Sequence, residues 1–179
     1  DRLAKVDLVP MLLVPGLTAD ASAVTETVKT RVAELREHLA AAKEKKAAEE
    51  AAAAAAAAAA EAQRQAEEAA AALAAANTPE GAKAIARQMA ASQYGWGDGQ
   101  FSCLESLWNK ESGWNYQAYN AGSGATGIPQ SLPGNKMASA GADWQTNAAT
   151  QIAWGLGYIA GSYGTPCAAW GHSQATDWY

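Results

Sequence analysis

Apolar positions recur along this chain in two different rhythms. From about Ser22 onward, Val28, Val32, Leu35, Leu39 and Ala42 follow one another in alternating steps of four and three, the spacing of a coiled-coil seam. The seam then fades into an unbroken alanine run, Ala51 to Ala60, flanked by Glu, Lys, Arg and Gln. Alanine has the highest helix propensity and no side chain to pack with, so this stretch predicts a helix that needs no core of its own. A single helix over residues 22–77 would extend roughly 80 Å at the usual rise per residue, a stalk that reads as a spacer or as a solvated linker. Residues 1–21, with Pro10, Pro15 and Gly16, read as an irregular lead-in.

The second rhythm starts at Asn77-Thr78-Pro79-Glu80, where Thr78 can cap a new helix with Pro79 at its first position. A helix is predicted over about 79–92, followed by the turn Gly95-Trp96-Gly97-Asp98-Gly99 and by a helix from near Ser102. In that helix Leu104, Leu107, Trp108 and Glu111 fall on one stripe. After a loop over 113–142, a helix over about 143–162 is capped by Asp143 and presents Ile152, Leu156 and Ile159 on one side. Pro166 opens a short last helix that holds Cys167 and Trp170. No alternating strand pattern of useful length occurs. The chain therefore predicts a mostly α protein: an irregular lead-in (1–21), an Ala-rich, partly coiled-coil-like helical stalk (22–77), and a compact α-rich domain (78–179).

Composition sharpens this division. Every aromatic residue lies from Tyr94 onward, and so does every glycine except Gly16 and Gly81. The first 77 residues thus lack an ordinary aromatic core, while the last hundred or so are enough to fold alone. The net charge of −5, with acids in excess in both parts, gives no basic face for nucleic acid. A neutral-to-acidic surface studded with Trp and Tyr suits an uncharged polysaccharide better, because sugar rings stack their C–H faces on aromatics.

Cys103 and Cys167 are the only cysteines. They read as a disulfide, which points to an oxidising, extracytoplasmic compartment; two buried free thiols are the alternative. A structural or catalytic zinc has no Cys or His cluster to hold it, and no cofactor is implied. The stretch from Leu8 to Leu17 is too short and too rich in proline to span a bilayer. With no initiator Met and no basic n-region, the sequence reads as a mature or truncated secreted chain.

Glu111 closes the apolar stripe of its helix and would lean toward a hydrophobic interior. Burial disfavours the charged carboxylate, which is how a general acid for glycoside cleavage stays protonated near neutral pH. Glycosidases usually use two carboxylates. Glu105 lies about 120° around the helix from Glu111 and reads as a surface residue, Asp143 reads as a cap, and neither Asp98 nor Asp177 makes a persuasive partner.

The dipeptide Glu111-Ser112 and the stretch from Ala118 through Gly124-Ala125, Gly127 and Gln130 resemble the lytic transglycosylases of the lysozyme-like superfamily. In that family an E-S dipeptide is followed by a loop reading roughly A-x-S-x-x-G-A-x-G-L-M-Q. Gly127-Ile128-Pro129-Gln130 followed by Leu132-Pro133-Gly134-Asn135-Lys136-Met137 is closer still to an actinobacterial branch, which includes resuscitation-promoting-factor-like and aggregation-promoting-factor-like proteins. Pro129 stands where Met is usual, and Asn120 roughly where Ser is.

The resemblance, which runs over about 93–179, implies a secreted or cell-wall enzyme of a Gram-positive actinobacterium acting on peptidoglycan glycan strands. In such enzymes one carboxylate protonates the glycosidic oxygen and then takes the proton of the muramic acid 6-hydroxyl, which closes a 1,6-anhydro ring. Here that residue would be Glu111. Gln130 would line the cleft or brace the loop, and Asn120 would bond sugar or turn the chain. Tyr119, Tyr158, Trp170 and Trp114 are candidate stacking rings, although any one of them reads as core ahead of platform. His172 reads as structural or as a cleft-edge residue. The competing readings are a muramidase-type hydrolase of the same fold and a noncatalytic wall-binding or aggregation module. Self-association through the N-terminal helix is a further expectation.

Overall fold

The computed structural model describes residues 14–179, and all their regular structure is helical, with no strand. The chain divides into two compact units, Asp1–Gln63 and Arg64–Tyr179. A long helix, α1 (Val14–Ala76), occupies the described part of the first unit and enters the second. Residues 1–13 of the expected irregular lead-in lie outside the described residues. The remainder of that lead-in is helical from Val14, a correction with a simple cause: Pro15 falls in the first turn, where its missing N–H would have had no helical partner.

Along the first unit every side chain from Thr18 onward is exposed. Val28, Leu35 and Leu39 are each more than half exposed, so the helix of this unit rests on backbone hydrogen bonds, alanine propensity and short-range ion pairs such as Lys29–Glu26.

The second unit holds the core. Its helices are α2 (Pro79–Tyr94), α3 (Asp98–Ser112), α4 (Ala148–Tyr163) and α5 (Pro166–Thr176), with a 3-10 turn η1 (Gly134–Ser139) between α3 and α4. Thr78 caps α2 as predicted, its side chain accepting from the Gly81 N–H at 3.0 Å, with Pro79 in the first turn. The buried face of α2 is Ala82, Ala86 and Ala90; such small side chains let it pack closely on α4. Asn77 joins the end of α1 to the start of α4, donating to the Thr146 carbonyl and accepting from the Ala148 N–H, both at 2.8 Å.

Two helix starts differ from expectation. Helix α3 begins at Asp98 instead of near Ser102, with Gly97 extended ahead of it. An acid in the first turn complements the positive end of the helix dipole, Asp98 pairs with Arg87, and Gln100 accepts from the Cys167 N–H at 3.0 Å. Helix α4 begins at Ala148 and is capped by Asn147, not Asp143. Asp143 instead accepts from Asn147 Nδ2 and Thr150 Oγ1 at 2.7 and 2.8 Å, bonds that hold its carboxyl below the usual range.

Cys103 and Cys167 form a disulfide between α3 and α5, with Cα atoms 4.9 Å apart. Trp108 and Trp114 meet edge to face at 5.1 Å in the centre of the core, and both are fully buried. Trp114 is therefore a core ring and no sugar platform. It follows the left-handed cap Gly113 and is itself left-handed, with φ 63°. That conformation costs a non-glycine residue of order 1 kcal/mol, which burial of its whole indole offsets.

Candidate active site

Glu111 lies in the last turn of α3, one turn beyond Trp108 on the helix's buried stripe. It is half-buried, and its Oε1 is fully enclosed with no hydrogen-bond partner. Burial raises its pKa above the ordinary carboxylate value, and the neighbouring charge of Lys110 opposes the shift only in part. The carbonyls at the helix C-terminus act in the same direction as burial. Lys110 is itself engaged by Ser173 and Asp177, its Nζ 3.0 Å from the Ser173 carbonyl and 3.1 Å from the Asp177 carboxylate.

The loop after α3 folds back to complete a cleft of about 340 Å³, lined by Lys110, Glu111, Ser112, Ala118, Tyr119, Asn120 and Gln130. Isolated antiparallel bridges, Tyr119 to Thr126 and Thr126 to Ser131, knit this loop. Ser112 ties it to the helix, its hydroxyl donating to the Ile128 carbonyl at 2.9 Å. The two sequence motifs are thus joined by one hydrogen bond.

Of the residues expected at the site, the fold brings Glu111, Gln130, Asn120 and Tyr119 to one cleft. Gln130 has φ 51° and donates from Nε2 to the Gly127 carbonyl at 2.9 Å. Asn120 Oδ1 accepts from the N–H groups of Gly122 and Ser123 at 2.9 and 3.1 Å, so it turns the chain at the cleft edge. Tyr119 is 67% exposed, a ring free to meet a ligand. Tyr158 is elsewhere: it stacks on Trp154 at 5.3 Å and lines a separate shallow hollow with Ser139, Ala140 and Gly157. Trp170 packs half-buried against the core from α5. His172 sits against Tyr163 and Trp178, its Nε2 buried and unpartnered.

Among the described residues no second carboxylate lines the cleft. Glu105 pairs with Lys83 at 3.1 Å, Asp98 with Arg87, and Asp177 with Lys110. The remaining candidate, Asp143, is held by Asn147 and Thr150.

Sequence reasoning missed two residues. Gln151, fully buried on α4, accepts from the Ile128 N–H at 2.9 Å and donates to the Tyr116 and Trp144 carbonyls at 3.0 and 2.8 Å. It braces the cleft loop from behind, and a Cβ at Gly127 (φ 79°) would come within 2.4 Å of it. The signal was present: Gln151 interrupts the otherwise apolar stripe of Ala148, Ile152, Gly155, Leu156 and Ile159. The second is Tyr179. Its hydroxyl accepts from Trp108 Nε1 at 2.8 Å and donates to the Pro129 carbonyl at 2.9 Å. Burial pushes its pKa well above the usual phenol value, with the charge of Glu111 among the lesser causes. No sequence pattern marked it.

The chain matches no known family, no curated protein and no solved structure in the comparisons made.

Proposed function

We propose that the second unit is a peptidoglycan lytic transglycosylase and that Glu111 is its acid and then its base. The observation that carries this reading is the enclosed, unpartnered Glu111 oxygen at a polar cleft with no other carboxylate. Burial that outweighs the nearby Lys110 charge raises the carboxyl's pKa, and so favours the protonated form that a general acid needs. One acid with no second carboxylate fits a route in which the substrate supplies its own nucleophile.

The reaction balances with a single proton donor. The Glu111 carboxyl protonates the oxygen that links muramic acid C1 to the next sugar, and the C1–O bond breaks. The resulting carboxylate takes the proton of the 6-hydroxyl as its oxygen bonds to C1, which regenerates the acid and consumes no water. In this reading the amide groups of Gln130 and Asn120 that do not hold the loop hydrogen-bond the sugars, and Tyr119 stacks on one. The Cys103–Cys167 disulfide, and the lack of any helix among the described residues long and apolar enough to cross a membrane, are compatible with work outside the cytoplasm. We place the protein at the cell wall.

Release of soluble fragments from purified sacculi tests the reading. The native chain should solubilise them and Glu111→Gln should not. Equal release by both would remove Glu111 from the chemistry, and no release by either would leave a binding module.

A further inference from the structure

The apolar seam of α1 has a charge pattern that the catalytic reading does not use. Val28, Val32, Leu35 and Leu39 are 54, 40, 67 and 56% exposed. With Ala42 they occupy the a and d positions of two heptads. The flanking positions are basic on both sides: Lys29, Arg36 and Lys43 directly follow Val28, Leu35 and Ala42, while Arg31 and His38 directly precede Val32 and Leu39. The acids Glu26, Glu34, Glu37 and Glu44 all fall on the outer positions. Lys29 and Arg31 reach outward to Glu26 and Glu34, at 2.7 and 3.4 Å. Such exposed pairs hold little energy and do not neutralise the flanks.

The flanking positions decide who can pair with a seam. Two copies of this helix would set the basic flanks of one against those of the other, whether they ran parallel or antiparallel. A bilayer is also a poor fit, because helices that lie in lipid present a broad apolar face rich in Trp, Phe and Leu. This stripe is narrow, two positions per heptad, and the helix contains no aromatic residue.

We infer that Val28–Ala42 is one strand of a heterotypic coiled coil, whose partner is a helix of another protein with an aliphatic seam flanked by Asp and Glu. The basic flanks would then meet acidic ones, and the apolar residues would leave water. Beyond Ala42 the seam positions turn to Lys46 and Glu49, so the pairing segment ends there. It is about 21 Å long at the usual rise.

A synthetic four-heptad peptide with Val and Leu at its seam and Glu at every flanking position is the probe, titrated against the full chain. A sister peptide with Lys at those positions is the control. The Glu peptide should bind at least tenfold more tightly than the Lys peptide, and added salt should weaken it. The triple variant Arg31→Glu, Arg36→Glu, Lys43→Glu, whose changes lie on an exposed helix surface, should reverse that preference. Equal binding of both peptides, or binding of neither, would overturn the inference. So would a chain that sediments as a dimer dissociated by Leu35→Lys, which would make a second copy the occupant. Seam-dependent binding to phosphatidylglycerol vesicles would assign the face to lipid and overturn it equally.

Discussion

The Tyr179 hydroxyl bridges Trp108 and Pro129, accepting from the indole N–H at 2.8 Å and donating to the carbonyl at 2.9 Å. Trp108 lies one helical turn before Glu111, and Pro129 directly precedes Gln130. One side chain thus fixes the distance between the acid's helix and the loop that faces it, and it lies close enough to Glu111 for that charge to help raise the Tyr179 pKa.

Tyr179→Phe keeps the ring and removes the bridge. Two buried polar groups lose their partner, at about 1–3 kcal/mol of stability for each. KM for glycan should rise more than kcat falls, since the loop that carries Gln130 loosens while the helix that carries Glu111 keeps its packing. Tyr179→Ala also empties the buried space that the ring fills near Glu111; water admitted there should move the basic limb of the pH–rate profile to lower pH. An unchanged limb in Tyr179→Ala would show that the ring does not shield Glu111.

Glu111→Gln should lower turnover on the order of a hundredfold or more with the fold retained. The sign of the pH effect follows from its raised pKa. The native state holds this proton more tightly than the unfolded chain, so the Glu111 contribution to stability declines as pH rises from the unfolded value through the raised folded one. At neutral pH, therefore, Glu111→Gln should melt at the same temperature as the native chain or higher, and below the unfolded pKa that advantage should vanish. Thermal melts at two pH values check this, and activity should fall as pH rises through the same raised pKa.

Gln151→Leu tests the brace behind the loop. It strands the Ile128 N–H and the Tyr116 and Trp144 carbonyls, at about 1–3 kcal/mol for each buried group left unpaired. Denaturant unfolding should show a loss of several kcal/mol, and activity should fall although Gln151 lies outside the cleft lining.

Removal of the bridge by Cys103→Ser with Cys167→Ser should destabilise the second unit by up to roughly 4 kcal/mol on the chain-entropy account, given the 64-residue separation. Thiol labelling of the denatured, unreduced native chain should find no free cysteine.

The sequence carried the helices wherever apolar spacing and capping residues agreed, as at Thr78-Pro79 and along Leu104, Leu107, Trp108 and Glu111. It misplaced starts where a side chain had two possible partners: Asp143 could cap a helix, but Asn147 does so and Asp143 bonds Thr150 instead. The cleft was legible in its Glu111, Asn120 and Gln130, because short motifs encode local loop geometry. The contacts of Tyr179 with Trp108 and Pro129 were not, since they join residues 71 and 50 positions apart and local periodicity holds no record of such distances.

The mass of the fragments released from purified peptidoglycan tests the role of Glu111 most directly. If Glu111 returns its proton from the substrate's own 6-hydroxyl, each new muramic end is an anhydro sugar, one water lighter than a reducing end. Glu111→Gln then yields none. Reducing ends from the native chain would contradict the transglycosylase route and leave Glu111 working with a water that the cleft must admit.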